Sequence, residues 1–258
     1  MTDSLRRLIF PDKDKPTVTV SGPEQVGILP GATMPSGTTP ARKLDLVFVI
    51  DTTGSMSDKI DGLLQTCVKF VDEFADLQLQ HRLAVVAFGD LRVRGDKIVR
   101  TDFTSNVEVT KKSLKNIPRY KGGGNKGESS LEAIDKALGL PFDEDAVKAL
   151  ILITDEPAHQ KHIKADEMIG RLAEREFLVF VVSPPLDYFK AMAKRNGGKW
   201  YKVAADTDFT DLLQIFRDMA SRVSHVVSDV HEYGEGSVAK YLMLNPPDKR
   251  KRVADKRN

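Results

Sequence analysis

The 258-residue sequence lacks several features that mark particular classes of protein. It holds one cysteine, Cys67, so no disulfide can form within the chain, and a reducing compartment is expected. No run of apolar residues approaches the roughly 18 that a membrane-spanning helix needs, and the first residues do not resemble a signal peptide. These absences predict a cytoplasmic protein without a membrane segment.

The charge balance is close to neutral, with a formal net charge of +2. Apolar residues make up 41% and charged residues 29%, which is ordinary for a globular α/β protein. Basic residues are concentrated in the tail Lys249–Arg257. This tail leaves a nucleic-acid contact open, but it has no aromatic residue for stacking, so we interpret it as a solvated end.

The chain is organised around Leu44–Ser55, LDLVFVIDTTGS. Its apolar and branched beginning is typical of a strand buried on both faces of a parallel sheet. The strand ends on Asp51, and two hydroxyl residues, Thr53 and Ser55, follow at alternate positions. Ligands bind at the carboxyl ends of such strands, so these oxygens are candidates for binding a cation.

Strands and helices alternate after this stretch, which predicts an α/β fold with a doubly wound, mostly parallel sheet and helices on both faces. The predicted strands are 44–51, 81–90, 98–104, 147–155, 177–183 and 199–204, and the predicted helices are about 60–74, 107–117, 128–138, 163–176, 186–195 and 206–228. We place this domain at residues 43–230. Residues 1–42, with six prolines, form a predicted extended arm, and residues 231–258 form a C-terminal extension.

The predicted strand 147–155 also ends on an aspartate, Asp155. If the two aspartate-ending strands are neighbours, Asp51 and Asp155 face each other and repel unless a cation lies between them. Thr53 and Ser55 add neutral oxygens. Hard oxygen ligands with few carboxylates favour Mg²⁺ or Mn²⁺ over Ca²⁺, which takes six to eight ligands.

Three segments together resemble the metal-site loops of the von Willebrand factor type A (VWA) domain. They are DTTGSM, GGGNKGE followed by EAI, and ITDEP. The resemblance implies a Rossmann-like doubly wound fold with a metal-ion-dependent adhesion site (MIDAS). Asp51, Thr53, Ser55 and Asp155 match the family's ligands. Asn125 stands where the family most often has threonine, and an amide oxygen there is an acceptable ligand.

The resemblance implies a protein–protein interaction module in which a partner's Asp or Glu completes the coordination of Mg²⁺, as part of a larger intracellular complex. A phosphoester hydrolase that uses Mg²⁺ to activate water is the alternative from another class, although no convincing general base is present. A scaffold subunit with a structural metal is the third possibility. We expect no catalytic residue.

Other interpretations of the same residues are less well supported. The loop after Asp51 lacks the spacing of aspartic proteases or aspartyl-phosphate phosphatases, and Lys126 is misplaced for a phosphate-binding loop. His159 and His162 lie three residues apart, but zinc needs more nitrogen or sulfur ligands than they supply, so we interpret them as loop residues. Glu128 and Glu156 are expected to be loop or helix-start carboxylates, with a role in supporting the metal ligands as the second interpretation.

Overall fold

The computed structural model describes residues 43–75, 80–122, 127–203 and 218. Within them, six strands form one sheet. The strands are β1 (Lys43–Asp51), β2 (Gln80–Phe88), β3 (Ile98–Arg100), β4 (Val147–Ile153), β5 (Phe177–Ser183) and β6 (Trp200–Lys202). β1 lies in the middle, and all its residues from Leu44 to Asp51 are buried. The apolar run in the sequence therefore became a strand covered on both faces, as predicted.

The strand order is β3-β2-β1-β4-β5-β6, and every neighbouring pair is parallel except β2 with β3. From β1 the chain adds β2 and β3 on one side of the sheet, and then returns to place β4 on the other side of β1, with which it pairs directly. Such a reversal opens a crevice beyond the carboxyl ends of the two strands, where ligands bind in doubly wound folds. Asp51, the last residue of β1, lies at this crevice.

Helices cover both faces of the sheet. In the described segments they are α1 (Ser57–Ala75), α2 (Val107–Lys115), α3 (Ser130–Leu138), α4 (Ala165–Glu174) and α5 (Asp187–Arg195), with a 3₁₀ turn at Gly54–Met56. Successive side chains of β1 point to opposite faces. Leu46 and Phe48 join one apolar cluster with α1 and α2, whereas Val47 and Val49 join another with α3, α4 and α5. The predicted doubly wound α/β fold is confirmed.

The apolar stripe of α1 faces the sheet. Ile60, Leu63, Leu64, Cys67, Phe70 and Val71 are all buried. The rings of Phe70 and Phe48 meet edge to face with their centroids 5.8 Å apart, which anchors the helix on β1. Burial raises the pKa of the Cys67 thiol, so this residue is an inert part of the core.

Several predicted boundaries are wrong near the crevice. β4 ends at Ile153, so Asp155 lies in the following loop rather than at the end of the strand. β3 ends at Arg100, and of the remaining residues predicted as strand, 101–104, only Thr104 forms a bridge, to Leu83. α3 begins at Ser130, because Glu128 forms a bridge to Ala158 and its carbonyl accepts from the N–H of His159 instead of from a residue of the helix. Smaller differences occur at the ends of β2, α2, α4, α5 and β6.

Some predictions fall on residues that the structure does not describe. These are the arm 1–42, Asn125, the helix 206–228 apart from the helical Asp218, and the extension 231–258. The predicted domain boundaries therefore stay predictions. In the described part of the chain, no helix combines the length and apolar character needed to cross a membrane.

Candidate metal centre

The crevice brings together the ligands predicted from the first and third loops. Asp51 is fully buried at the end of β1, and Ile50 beside it pairs with Ile153 of β4. The loop after β4 then places Asp155 opposite the turn that carries Thr53 and Ser55. Neighbouring parallel strands thus place both aspartates at the same edge of the sheet, as the sequence predicted.

The side-chain oxygens of these residues form a continuous chain of contacts. The Thr53 hydroxyl donates to Asp51 Oδ1 over 2.6 Å, and the Ser55 hydroxyl donates to Asp155 Oδ1 over 2.9 Å. The two hydroxyl oxygens lie 3.1 Å apart. A carboxylate therefore lies at each end of the chain, with two hydroxyls between them.

The donor set fits a small hard cation. Each hydroxyl oxygen has one hydrogen and two lone pairs, so both Thr53 Oγ1 and Ser55 Oγ keep a lone pair that can bind a cation whichever of the two donates to the other. The contacts along the chain, 2.6 to 3.1 Å, are close to the edge of an octahedron with oxygens about 2.1 Å from Mg²⁺, which is about 3.0 Å. Asp51, Thr53, Ser55 and Asp155 are thus the residues that would hold the ion.

Asp51 carries the strongest electrostatic perturbation among these ligands. Burial raises its pKa to about 6, against the lowering effect of hydrogen bonds from Thr154 and Thr53, and the charge of Asp155 raises it further. The Thr154 hydroxyl donates to Asp51 Oδ2 over 2.6 Å, and the Thr53 N–H donates to Oδ1 over 3.0 Å. A buried carboxylate that lacks a countercharge favours a cation beside it.

Two residues at the site were not predicted from the sequence. Thr154 orients Asp51, and its signal was a hydroxyl directly before Asp155 at the end of an apolar strand. Lys59 places Nζ 3.3 Å from Asp155 Oδ2. Ser55 in the 3₁₀ turn and Lys59 in the first turn of α1 thus contact the two oxygens of the same carboxylate. The Lys59 ammonium partly balances Asp155 in the metal-free protein.

The described part of the second loop is held against the first. The N–H of Gly54 donates to the carbonyl of Lys121 over 3.2 Å, and the N–H of Tyr120 donates to the carbonyl of Thr52 over 2.9 Å. A Cβ at Gly54 would lie 2.7 Å from the Lys121 oxygen, so only glycine permits this approach. Asn125 lies outside the described residues, and its contact with a metal stays a prediction.

Glu128 lies close behind the first loop. It is 3% exposed, and its Oε2 has no hydrogen-bond partner among the described residues. A Cβ built on Gly122 would lie 3.0 Å from both Glu128 Oε1 and Thr53 Cβ, so Glu128 approaches the hydroxyl turn. Burial raises its pKa to about 8, with Asp51 the largest charge contribution. Glu128 lies two residues before α3 rather than at its start. A role for Glu128 and Glu156 in supporting the metal ligands stays a prediction.

The two loop histidines lie in different environments. His162 is exposed, whereas His159 is 6% exposed and its Nε2 lies 3.2 Å from the buried Asp90 Oδ1. No group of three His, Cys, Asp or Glu side chains in the described segments is arranged to hold a metal. The chain of oxygen contacts is a different kind of site, because two of its four donors are hydroxyls.

The family model of the von Willebrand factor A domain matches residues 45–220. The chain belongs to the von Willebrand factor A domain family. The matched range includes the loops of all three segments from which the resemblance was drawn, so that resemblance is confirmed at the level of the family. In this VWA domain, the crevice between β1 and β4 is where the side-chain oxygens of Asp51, Thr53, Ser55 and Asp155 meet.

Solved structures show the same fold. The chain is similar to proximal thread matrix protein 1 (PTMP1) from the mussel byssus, solved with a zinc-occupied MIDAS motif. The TM-score is 0.53 and the identity 18%, with 70% of this chain and 46% of that chain covered. It is also similar to the pilus adhesin SpaC from Lactobacillus rhamnosus GG, with a TM-score of 0.54 and an identity of 11%. The match covers 71% of this chain and 30% of SpaC. This VWA domain thus spans less than half the length of either protein, and at these identities the likeness shows the fold alone. A search of the curated proteins found no match.

Proposed function

We propose that this VWA domain is a metal-dependent protein–protein interaction module that binds a partner's Asp or Glu through Mg²⁺. Asp51, Thr53, Ser55 and Asp155 would hold the ion, with Asn125 as the predicted ligand from the second loop. The observation that carries the proposal is the oxygen chain at the crevice, in which two hydroxyl oxygens 3.1 Å apart lie between two carboxylates. We further propose that the domain acts within a larger intracellular complex.

The burial of the ligands supports access from one side. Asp51 is fully buried, whereas Ser55 is exposed and the side chain of Asp155 is 11% exposed. The bound ion would supply a Lewis acid for a partner's carboxylate. Thr154 and the Thr53 N–H hold Asp51 in place. The carboxylates of Asp51 and Asp155 would together balance the charge of a divalent ion. A third carboxylate, from the partner, is then not repelled by excess negative charge among these ligands.

The chemistry of the donors supports the choice of metal. All four described donors are oxygens, which suits Mg²⁺ or Mn²⁺, whereas Ca²⁺ takes more ligands. PTMP1 has been solved with zinc at its MIDAS motif. Zinc prefers nitrogen and sulfur donors in closed sites, so we propose Mg²⁺ for this chain and expect Zn²⁺ to compete for the same oxygens.

Replacing Ser55 with alanine is expected to weaken Mg²⁺ binding by about tenfold or more, because a ligand oxygen is lost without a change in charge. Isothermal titration calorimetry of Mg²⁺ into the metal-free protein measures this effect. A fluorescein-labelled peptide with one Glu in a Gly-Ser background then tests carboxylate binding with Mg²⁺ and with chelator. We expect the peptide to bind the wild type only with Mg²⁺.

Ser113→Ala is the matched control, since Ser113 is a partly exposed serine on α2 whose hydroxyl contacts only the carbonyl of Val109 in the described structure. It should bind Mg²⁺ as the wild type does. Peptide binding that is the same with Mg²⁺ and with chelator would contradict the proposed function.

Mg²⁺ affinity is expected to fall about tenfold between pH 7 and pH 5. The ion needs ionised Asp51, whose metal-free pKa is about 6, so a proton competes with the metal below that pH. Calorimetry at both pH values, in buffers of different ionisation enthalpy, measures the affinity and the protons released. An affinity that stays constant down to pH 5 would show that Asp51 does not ligate the ion.

The same raised pKa acts in the opposite direction on metal-free stability. The folded state binds a proton at Asp51 more readily than the unfolded state, whose carboxyl has its ordinary pKa near 3.8. The penalty for ionised, buried Asp51 is therefore fully present above pH 6 and disappears as the pH falls towards 4. Glu128 contributes in the same sense from about pH 8 downwards.

The hydrolase alternative finds one supporting feature, the close approach of His159 Nε2 to Asp90 Oδ1. A histidine oriented by a carboxylate is a common general base. Turnover of p-nitrophenyl phosphate that requires Mg²⁺ and is abolished by Asp51→Ala would favour this second candidate over the binding module.

A further inference from the structure

A second cleft, of about 580 Å³, lies beside the metal centre. Its lining includes Leu91, Arg92, Glu132, His159, Lys161 and His162. His159 follows the metal ligand Asp155 by four residues, and four residues of chain span at most about 14 Å. The cleft and the proposed metal therefore lie within reach of one short extended peptide.

The mouth of the cleft carries positive charge that is not neutralised. Arg92, Lys161 and His162 are exposed, and none of them forms an ion pair with a residue that the structure describes. Arg92 and Lys161 are charged at any physiological pH. The mouth therefore attracts anionic groups.

The floor of the cleft has polar atoms without hydrogen-bond partners among the described residues. Glu132 Oε2 is buried there and accepts no hydrogen bond, and the 6%-exposed His159 makes none through Nε2, although that atom lies 3.2 Å from Asp90 Oδ1. Buried polar atoms are normally satisfied, so the floor has room for donors from a ligand. Leu91, 50% exposed at the edge, offers an apolar contact.

We propose that this cleft binds a second acidic side chain from the same partner segment that coordinates the metal. The partner's second carboxylate would bind at Arg92, Lys161 and His162, and its main-chain N–H groups would satisfy Glu132. The proposal rests on the proposed function and narrows the partner to an extended acidic segment. Two acidic residues four positions apart span the upper limit of about 14 Å between Asp155 and His159, so this spacing is the one to test.

The test uses two fluorescein-labelled peptides in a Gly-Ser background, one with a single Glu and one with two Glu four positions apart. Fluorescence anisotropy with the Mg²⁺-loaded full chain is expected to show about tenfold tighter binding of the two-Glu peptide. The double variant Arg92→Glu/Lys161→Glu should lose this gain and keep the affinity for the one-Glu peptide. Arg92→Gln/Lys161→Gln should lose most of the gain in affinity for the two-Glu peptide. This neutral variant tests the proposal even if the charge-reversed variant does not fold.

Lys194→Glu/Arg195→Glu is the matched control, because these exposed residues end α5 near the amino end of β5, whereas the cleft lies at the carboxyl ends of the strands. It should retain the gain. A gain that survives in both Arg92/Lys161 variants, or no gain in the wild type while the one-Glu peptide binds with Mg²⁺, would overturn the cleft proposal alone. One-Glu binding that is indifferent to chelator would instead overturn the proposed function. The effect of Arg92→Glu/Lys161→Glu on the two-Glu peptide, measured with chelator, then decides on the cleft.

Discussion

Replacing Asp51 with asparagine is expected to weaken Mg²⁺ binding by about 100-fold or more and to stabilise the metal-free protein. Binding falls because a charged ligand becomes neutral. Stability rises because burial raises the pKa of Asp51 to about 6, so its ionised form is unfavourable in the folded state at pH 7. The difference between this pKa and the ordinary value of 3.8 corresponds to about 3 kcal/mol, or roughly 6 to 12 °C in melting temperature for a domain of this size.

Calorimetry of Mg²⁺ binding and thermal melting in chelator measure the two effects of Asp51→Asn. Asp45→Asn is the matched control, since Asp45 is also a buried aspartate of β1. Asp45 accepts from the Arg82 guanidinium and from the N–H of Asp143, so its loss should lower stability and leave Mg²⁺ affinity unchanged. A metal-free Asp51→Asn protein that unfolds at a lower temperature than the wild type would show that Asp51 is mainly structural.

Replacing Gly198 with alanine is expected to destabilise the fold by at least about 3 kcal/mol. A Cβ at this position would lie 1.7 Å from the Val179 carbonyl oxygen and 2.4 Å from its carbon, which are main-chain atoms of a buried strand. Neither main-chain segment can move easily. The Gly198 N–H donates to the carbonyl of Ala193 in the last turn of α5, and Val179 lies within β5. Urea unfolding monitored by circular dichroism measures the loss.

Gly170→Ala is the control for this prediction. Gly170 lies in α4, and a Cβ there meets nothing within 4 Å. Alanine should therefore stabilise the helix by about 0.5 to 1 kcal/mol, because it restricts the unfolded chain and favours helix. Equal unfolding midpoints for Gly198→Ala and the wild type would show that the chain can separate from β5 at little cost.

The central part of the fold was predictable because local pattern and burial agree there. The apolar runs that became β1, β4 and β5 are buried on both faces, and the stripe of α1 recurs at helical spacing. Strand ends were not predictable, because apolar character does not show where hydrogen bonding between strands stops. Asp155 was therefore placed at the end of a strand that stops at Ile153.

The four described residues of the candidate site could be proposed from the sequence because their residue types and spacing are distinctive. The residues that contact and support them could not. Thr154 supports Asp51 across the gap between two strands, a contact that depends on which strands are neighbours. Asp90 and His159 meet through two loops that lie 69 positions apart in the sequence, and neither has a local signal. Such contacts come from topology, which one sequence specifies only through the completed fold.

The burial gradient across the ligands has a kinetic consequence. Asp51 is enclosed by the sheet while Ser55 faces solvent, so under the proposed function an ion would enter and leave on the side where a partner's carboxylate would bind. Loading would then precede docking, and a docked partner would trap the ion. Chelator should strip the free domain quickly and the assembled complex only as fast as the partner dissociates.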